Sequence, residues 1–242
     1  MFEDLLQQLG LSAFSLKGFG PLLLQGTWMT IKLSLLALLV SVLIGLLGAS
    51  AKLSRAAFVR IPAQAYTTLI RGVPDLVLML LIFYSLQTWL SALTDAMGWE
   101  YIEIDPFTAG VITLGFIYGA YFTETFRGAI LAVPRGQSEA AVAYGLSRGQ
   151  RFRYVVFPQM MRVALPGIGN NWMVLLKATA LVSIIGLADL VKAAQDAGKS
   201  TYQLFYFLVL AALIYLLITS ASNLALRWLE RRYNVGSREA TR

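Results

Sequence analysis

Cysteine and histidine are both absent from the 242-residue sequence, and only 14% of its residues are charged. Without cysteine there is no disulfide framework, no thiolate metal site and no thiol nucleophile. Without histidine the commonest general base is missing, and most hydrolase and metalloenzyme chemistry goes with it. Soluble proteins carry about 25% charged residues, so this chain has too little charged surface to stay in water. What is present instead is apolar: 57% of residues are hydrophobic, and the mean hydropathy is +0.66. These numbers describe an integral membrane protein.

A helix needs about 20 mainly apolar residues to cross a bilayer. The sequence predicts five such spans: Thr27 to Ala51, Tyr66 to Leu93, Phe107 to Arg127, Gly167 to Leu187 and Leu204 to Trp228. Basic residues follow the first, third and fifth: Lys52, Arg55 and Arg60, then Arg127, Arg135, Arg148, Arg151, Arg153 and Arg162, then Arg227, Arg231, Arg232, Arg238 and Arg242. The opposite side has only Lys17, Lys192 and Lys199, and its loop "TDAMGWEYIEIDP" is purely acidic. Lys and Arg collect on the cytoplasmic side, which predicts an outside N-terminus and a cytoplasmic C-terminus. The same rule accounts for the net charge of +7 without a nucleic-acid partner. The start "MFEDLLQQLG" lacks a basic n-region, so a cleaved signal is not expected there; a short interfacial helix is. The whole chain, 1–242, reads as one membrane domain.

Between the third and fourth spans, residues 134–166 form a basic insert. "SEAAVAYGL" predicts a short helix capped by Ser138, with Glu139 near its positive end and Gly145 as its stop. A second short helix is expected from Arg148 to Val156, ended by Phe157-Pro158. Such a hairpin suits two uses: lying on anionic lipid through its arginines, or docking on another protein.

The residues also form a motif. Glu139-Ala140-Ala141, three residues, Gly145, nine residues and Val155-Val156-Phe157-Pro158 resemble the EAA loop of ABC-importer permease subunits, with Val and Phe in place of the family's Ile and Leu. "LIRGVPDLVLMLLIFY", "GFIYGAYFTETFRGAI", "ALPGIGNNW" and "LKATALVSIIGL" are similar to the polar amino-acid uptake branch. Within it they resemble most the Q-type permeases for histidine, lysine, arginine and ornithine, or for arginine and opines. The resemblance implies an all-α membrane protein of five transmembrane helices with a cytoplasmic EAA coupling hairpin between helices 3 and 4. It implies a second, similar or identical permease subunit, a dimeric ATP-binding cassette ATPase and a periplasmic amino-acid binding protein, assembled in a bacterial inner membrane. Glu139, Ala140, Ala141, Gly145, Arg148, Phe157 and Pro158 would then couple to the ATPase. The sequence has no GxxxxGK[ST] loop, so ATP and Mg are expected on the partner, and no cofactor or metal is expected on this chain. An ion-coupled secondary transporter and a structural membrane anchor are the alternatives.

Ionisable residues at bilayer depth cost roughly 2.5–3.5 kcal/mol each on insertion scales, so each needs a reason. Asp75 follows a break at "GVP", where interrupted helices often build substrate sites. It either pairs with a cationic substrate or occupies the first turn of a restarted helix. Glu124 and Arg127 are three apart and share a helix face, as an internal pair or as a gate. Lys177 pairs with an acid on a neighbouring helix or receives a substrate carboxylate. Arg71 snorkels or binds a carboxylate. Tyr84, Tyr118 and Tyr121 are packing residues or a cation–π wall. Gly115 and Gly119 read as tight helix packing, and Trp28, Trp89, Trp99 and Trp172 as boundary anchors.

Overall fold

The computed structural model describes residues 16–233, and over these the chain is helical with no strand. The expected N-terminal interfacial helix lies outside the described residues, as do Arg238 and Arg242. In chain order the helices are α1 (Gly20–Lys52), α2 (Ala57–Gly72), α3 (Asp75–Met97), α4 (Pro106–Leu131), α5 (Arg135–Ala143), α6 (Arg148–Arg151), α7 (Phe157–Ala178), α8 (Leu190–Thr201) and α9 (Leu204–Tyr233). A π-helical turn, Phe152–Val156, joins α6 to α7, and a 3₁₀ segment, Thr179–Ile185, extends α7. Among the described residues, four helical stretches are long and apolar enough to cross a membrane: α1, α3, α6 through the 3₁₀ segment, and α9. At 33 residues, α1 is about 50 Å long, more than the roughly 30 Å of hydrocarbon in a bilayer.

The centre of the fold is the seam between α1 and α4. The buried residues of α1, including Leu33, Ser34, Ala37, Ser41, Gly45 and Ala49, recur every three or four positions and make one stripe. Serines in that stripe return their hydroxyls to the helix's own carbonyls, as Ser41 does to Ala37 at 2.7 Å, so no polar group is left bare against the neighbour. Small residues on both sides let the backbones approach. A methyl group added at Gly119 would lie 2.6 Å from Ile44 Cγ2, and methyls at Gly45, Gly48 and Gly115 would strike Phe122, Thr123 and Val40. Lipid gives helices no hydrophobic reason to associate, so close packing of this kind is what holds them. By contrast α9 buries only Phe207 and Ala211. It turns Phe205, Leu216, Leu217 and Leu224 outward, as a lipid-facing helix does.

The second predicted span requires correction. It carries the break that its "GVP" announced, at Val73-Pro74 between α2 and α3, so the apolar span starts at Asp75 and not at Tyr66. The residue before proline is pushed out of the α region, and Val73 is extended at φ −112°, ψ 141°. The α2 helix is amphipathic and docks on α4 through Tyr66, whose hydroxyl donates to the Phe116 carbonyl. A second correction concerns Trp172, which packs part-buried against the core, whereas Trp28, Trp89 and Trp99 are exposed.

The insert also differs in detail. Ser138 caps nothing: α5 starts a turn earlier at Arg135, with Pro134 in the cap position. The proline supplies an extended backbone there (φ −59°, ψ 134°) from which a helix restarts without needing its missing N–H. The side-chain cap is instead at Ser147, in a reciprocal box with Gln150, signalled by Ser-x-x-Gln. Phe157-Pro158 does not end the second helix, because α6 passes through the π-turn directly into α7. The Phe157 N–H bonds to the Phe152 carbonyl, five residues back. That wider turn makes room just where the Pro158 ring would crowd the preceding turn.

Candidate functional site

Asp75 is the first residue of α3, immediately after the Val73-Pro74 break. No side-chain cap bond forms at that helix start, so the carboxylate is free to turn toward α4. There the Tyr118 hydroxyl donates to Asp75 Oδ2 at 2.9 Å. Tyr118 is buried, at 1% exposure, and its position is fixed by the α1–α4 seam. One turn further along α4, Tyr121 stacks on it with ring centres 5.5 Å apart. The Arg71 guanidinium, at the end of α2, lies 5.6 Å from the centre of the Tyr121 ring, a cation–π distance. The helix break therefore brings Arg71, Asp75, Tyr118 and Tyr121 into one cluster, with a carboxylate and a guanidinium on either side of a stacked aromatic pair. Asp75 is half-buried and Arg71 exposed, so the cluster is open to an incoming group.

Tyr84 is not part of it. Nine residues beyond Asp75, it falls on the opposite face of α3 at 100° per residue and is 61% exposed.

A second polar cluster lies further along α4. Glu124 accepts from Arg127 Nε at 3.0 Å, as the three-residue spacing predicts. It also accepts from Lys52 Nζ, which donates at 2.8 Å to Thr67 as well. One carboxylate thus ties the end of α1 to α4, and through Thr67 to α2. The part played by Lys52 was not legible in the sequence, where it reads as a charge beyond the first span. The signal was its place at the last position of a long helix, one turn beyond the glycine that lets α4 approach.

Lys177 has no ion pair: among the described residues these are Lys52–Glu124, Arg127–Glu124 and Lys192–Asp196. The expected acid on a neighbouring helix is missing. Its side chain is exposed at the edge of a cavity of about 250 Å³ with Ala180, Val191, Leu208 and Tyr215. Lys32, within the first predicted span, was overlooked in the sequence; it lies 6.0 Å from the centre of the Phe107 ring.

Outside the spans, two aspartates begin helices in opposite surroundings. Asp105 caps α4 by accepting from Phe107 and Thr108 at 3.0 Å each, and its bonds with Thr108 and then Phe107 hold its carboxyl below the ordinary value. Asp189 caps α8 by accepting from the Lys192 N–H at 2.9 Å but is fully buried. Its other oxygen has no partner, and burial pushes its pKa up to about 6.

On the insert, Gly145 adopts φ +75°, the left-handed region that glycine enters without strain. Its N–H and that of Leu146 close the end of α5 on the carbonyls of Val142 and Ala141. Ala141 is buried, while Glu139, Ala140, Arg148, Phe157 and Pro158 face outward. The outward residues leave one side of α5 available for contact.

Long apolar helices around a slim seam, with a broken helix that gathers a charged cluster, define a class: a helical membrane protein of the transport kind. Residues 22–235 match the family described as "Binding-protein-dependent transport system inner membrane component", and the chain belongs to that family. It is 61% identical over 225 residues to the histidine/lysine/arginine/ornithine transport system permease protein HisQ of Salmonella typhimurium, covering 93% of this chain and 99% of that protein. It is 40% identical to the arginine ABC transporter permease protein ArtQ of Haemophilus influenzae, covering 89% and 95%. Among solved structures, an amino acid ABC transporter crystallised with histidines superposes with a TM-score of 0.73 at 38% identity, covering 88% of this chain and 94% of that one.

Proposed function

We propose that this chain is the permease subunit of an ATP-driven importer that moves basic amino acids into the cytoplasm by alternating access. The observation that carries the reading is the 61% identity, over nearly the full length of both chains, to a permease of a histidine/lysine/arginine/ornithine system. In this reading the chain is one domain over 1–242 with five spans, α4 being the fifth, and its C-terminus and the α5–α6 hairpin are cytoplasmic. It pairs with a second permease, receives substrate from a binding protein and is driven by an ATPase dimer that holds the ATP and Mg.

Asp75 is the proposed site for the substrate's cationic side chain. The Tyr118 hydroxyl fixes its orientation, and the Tyr121 face offers a second surface to a guanidinium or imidazolium. Arg71, on the far side of Tyr121, takes the carboxylate end. Asp75 and Tyr118 come from different helices, so a shift of α3 against α4 would change the site. Glu124 with Lys52 and Arg127 forms the inner closure of the path. Tyr84 and Lys177 would serve a substrate only at other points along the route.

Force enters through Glu139, Ala140, Ala141, Gly145 and Arg148, with Phe157 and Pro158 at the root where the hairpin joins α7. Because α6, the π-turn and α7 are continuous, a push on the hairpin is transmitted directly into a membrane helix.

The test is reconstitution in liposomes with the partner permease, the ATPase and the binding protein. Nucleotide-dependent uptake of labelled arginine or histidine is expected, lost when the ATPase is omitted. Gradient-driven flux through the chain alone would instead support a secondary transporter.

A further inference from the structure

The hairpin contains a cleft that the proposed coupling residues only partly account for: Glu139 and Arg148 line it, but so do Arg135 and Arg151. It has a volume of about 430 Å³ and lies between α5, α6 and the end of α4. Its rim carries Arg135, Arg148 and Arg151, and its floor is apolar, formed by Ile130 at the end of α4, Val133 just beyond it and Phe152. The only acid in the lining is Glu139, and none of the three arginines is ion-paired among the described residues. One carboxylate against three guanidinium groups leaves a positive excess that a bound anion relieves, and arginine forks match phosphate oxygens in pairs.

We propose that this cleft binds a phosphate group, supplied by the headgroup of an anionic phospholipid. The floor decides between sources. Ile130 and Val133 flank the end of α4 at Leu131; on the proposed topology, with α4 a span ending on the inner side, the floor lies at the inner edge of the bilayer and offers apolar contact below the phosphate. A free phosphate has no use for that floor, whereas a phosphatidylglycerol has a glyceryl backbone and acyl chains to lay on it. Basic pockets beside membrane helices on the inner face take anionic headgroups by this combination. The site would tether the hairpin to the bilayer surface and so set its resting angle against the ATPase. The inference rests on the cytoplasmic reading of the hairpin, which Glu139→Gln tests separately through ATPase recruitment.

The experiment uses the full chain purified in a neutral detergent, with native mass spectrometry reading bound lipid. Phosphatidylglycerol and phosphatidylcholine are offered at equal concentration, with and without inorganic phosphate. We expect at least a tenfold preference for phosphatidylglycerol, undisturbed by equimolar phosphate. The preference should fall near parity in Arg135→Gln/Arg151→Gln and persist in Arg151→Lys, which keeps the charge. Arg135 is exposed, so Arg135→Gln alone gives a folded variant with an intermediate loss. Equal retention of the two lipids, or a preference that survives the double substitution, overturns the proposal. Displacement by equimolar phosphate overturns the lipid as the source. Loss of ATPase binding in the double variant with lipid preference intact also overturns it and marks the cleft as a dock for an acidic protein segment.

Discussion

The α1–α4 seam and the α5–α6 hairpin treat charge in opposite ways. In the seam Glu124 is held by both Lys52 and Arg127, and beside it Asp75 of α3 is held by Tyr118. On the hairpin, Glu139, Arg135, Arg148 and Arg151 have no ionic partner among the described residues. The difference follows from the surroundings. A bare charge among apolar helices costs several kcal/mol, so it must be met internally. A charge on a solvated surface costs little and can wait for an external partner. The seam uses its polar groups to hold itself together, and the hairpin keeps its own for contact.

The largest effect should come from breaking the seam's packing. Gly119→Val sets side-chain carbons against Ile44, and overpacking of this kind costs about 1–3 kcal/mol or more. The expected outcome is little or no monodisperse protein on size-exclusion chromatography, whereas Gly136→Ala on the hairpin, with open space around it, should behave as wild type.

Next is the charge cluster. Glu124→Leu leaves Lys52 and Arg127 facing each other without an anion, a loss of about 1–3 kcal/mol visible as a lower thermal midpoint in detergent. Adding Lys52→Met should restore part of it, because it removes an unpaired cation rather than a contact.

Asp189 gives a pH-dependent effect of similar or smaller size. Its folded-state pKa of about 6 lies above the ordinary 3.8, so the folded state holds its proton more tightly. Stability from this group is full below about pH 4, declines as the pH rises to about 6 and is level above that. The change is about 2–3 kcal/mol at 1.36 kcal/mol per pKa unit. Asp189→Asn keeps the cap and should flatten this part of the stability curve; an unchanged slope would mean another group is responsible.

The smallest effect on stability should be on the hairpin. Glu139→Gln or Arg148→Gln should alter the thermal midpoint by less than a degree or two, since surface substitutions stay within about 0.5 kcal/mol. Both should nonetheless weaken ATPase co-purification severalfold. Equal damage to stability would erase the contrast between the two regions.

The same contrast explains what the sequence disclosed. The apolar runs marked four of the helices because twenty lipid-facing residues leave a plain compositional trace. The Glu124–Arg127 pair and the glycine faces were legible because helical periodicity fixes near neighbours. Gly145 was legible as a helix stop because its residue type reports its backbone. The Lys52–Glu124 contact was not, since it joins residues 72 apart, and only the approach allowed by Gly48 brings them together. The proximity of Arg71, Asp75 and Tyr121 depends on how far α2 turns from α3 at Val73-Pro74, an angle that a proline announces but does not specify. The cap at Ser138 was misplaced because Pro134 restarts the helix earlier. The end expected at Pro158 fails because a π-turn absorbs the proline.

The account depends most on Asp75 being the group that meets the substrate's positive charge. The direct test is Asp75→Asn in the reconstituted importer, with labelled arginine uptake and ATP hydrolysis measured on the same liposomes. The predicted result is uptake reduced at least tenfold while the complex still assembles and hydrolyses ATP. Uptake at the wild-type rate would contradict it and leave Asp75 as the first residue of a restarted helix and nothing more.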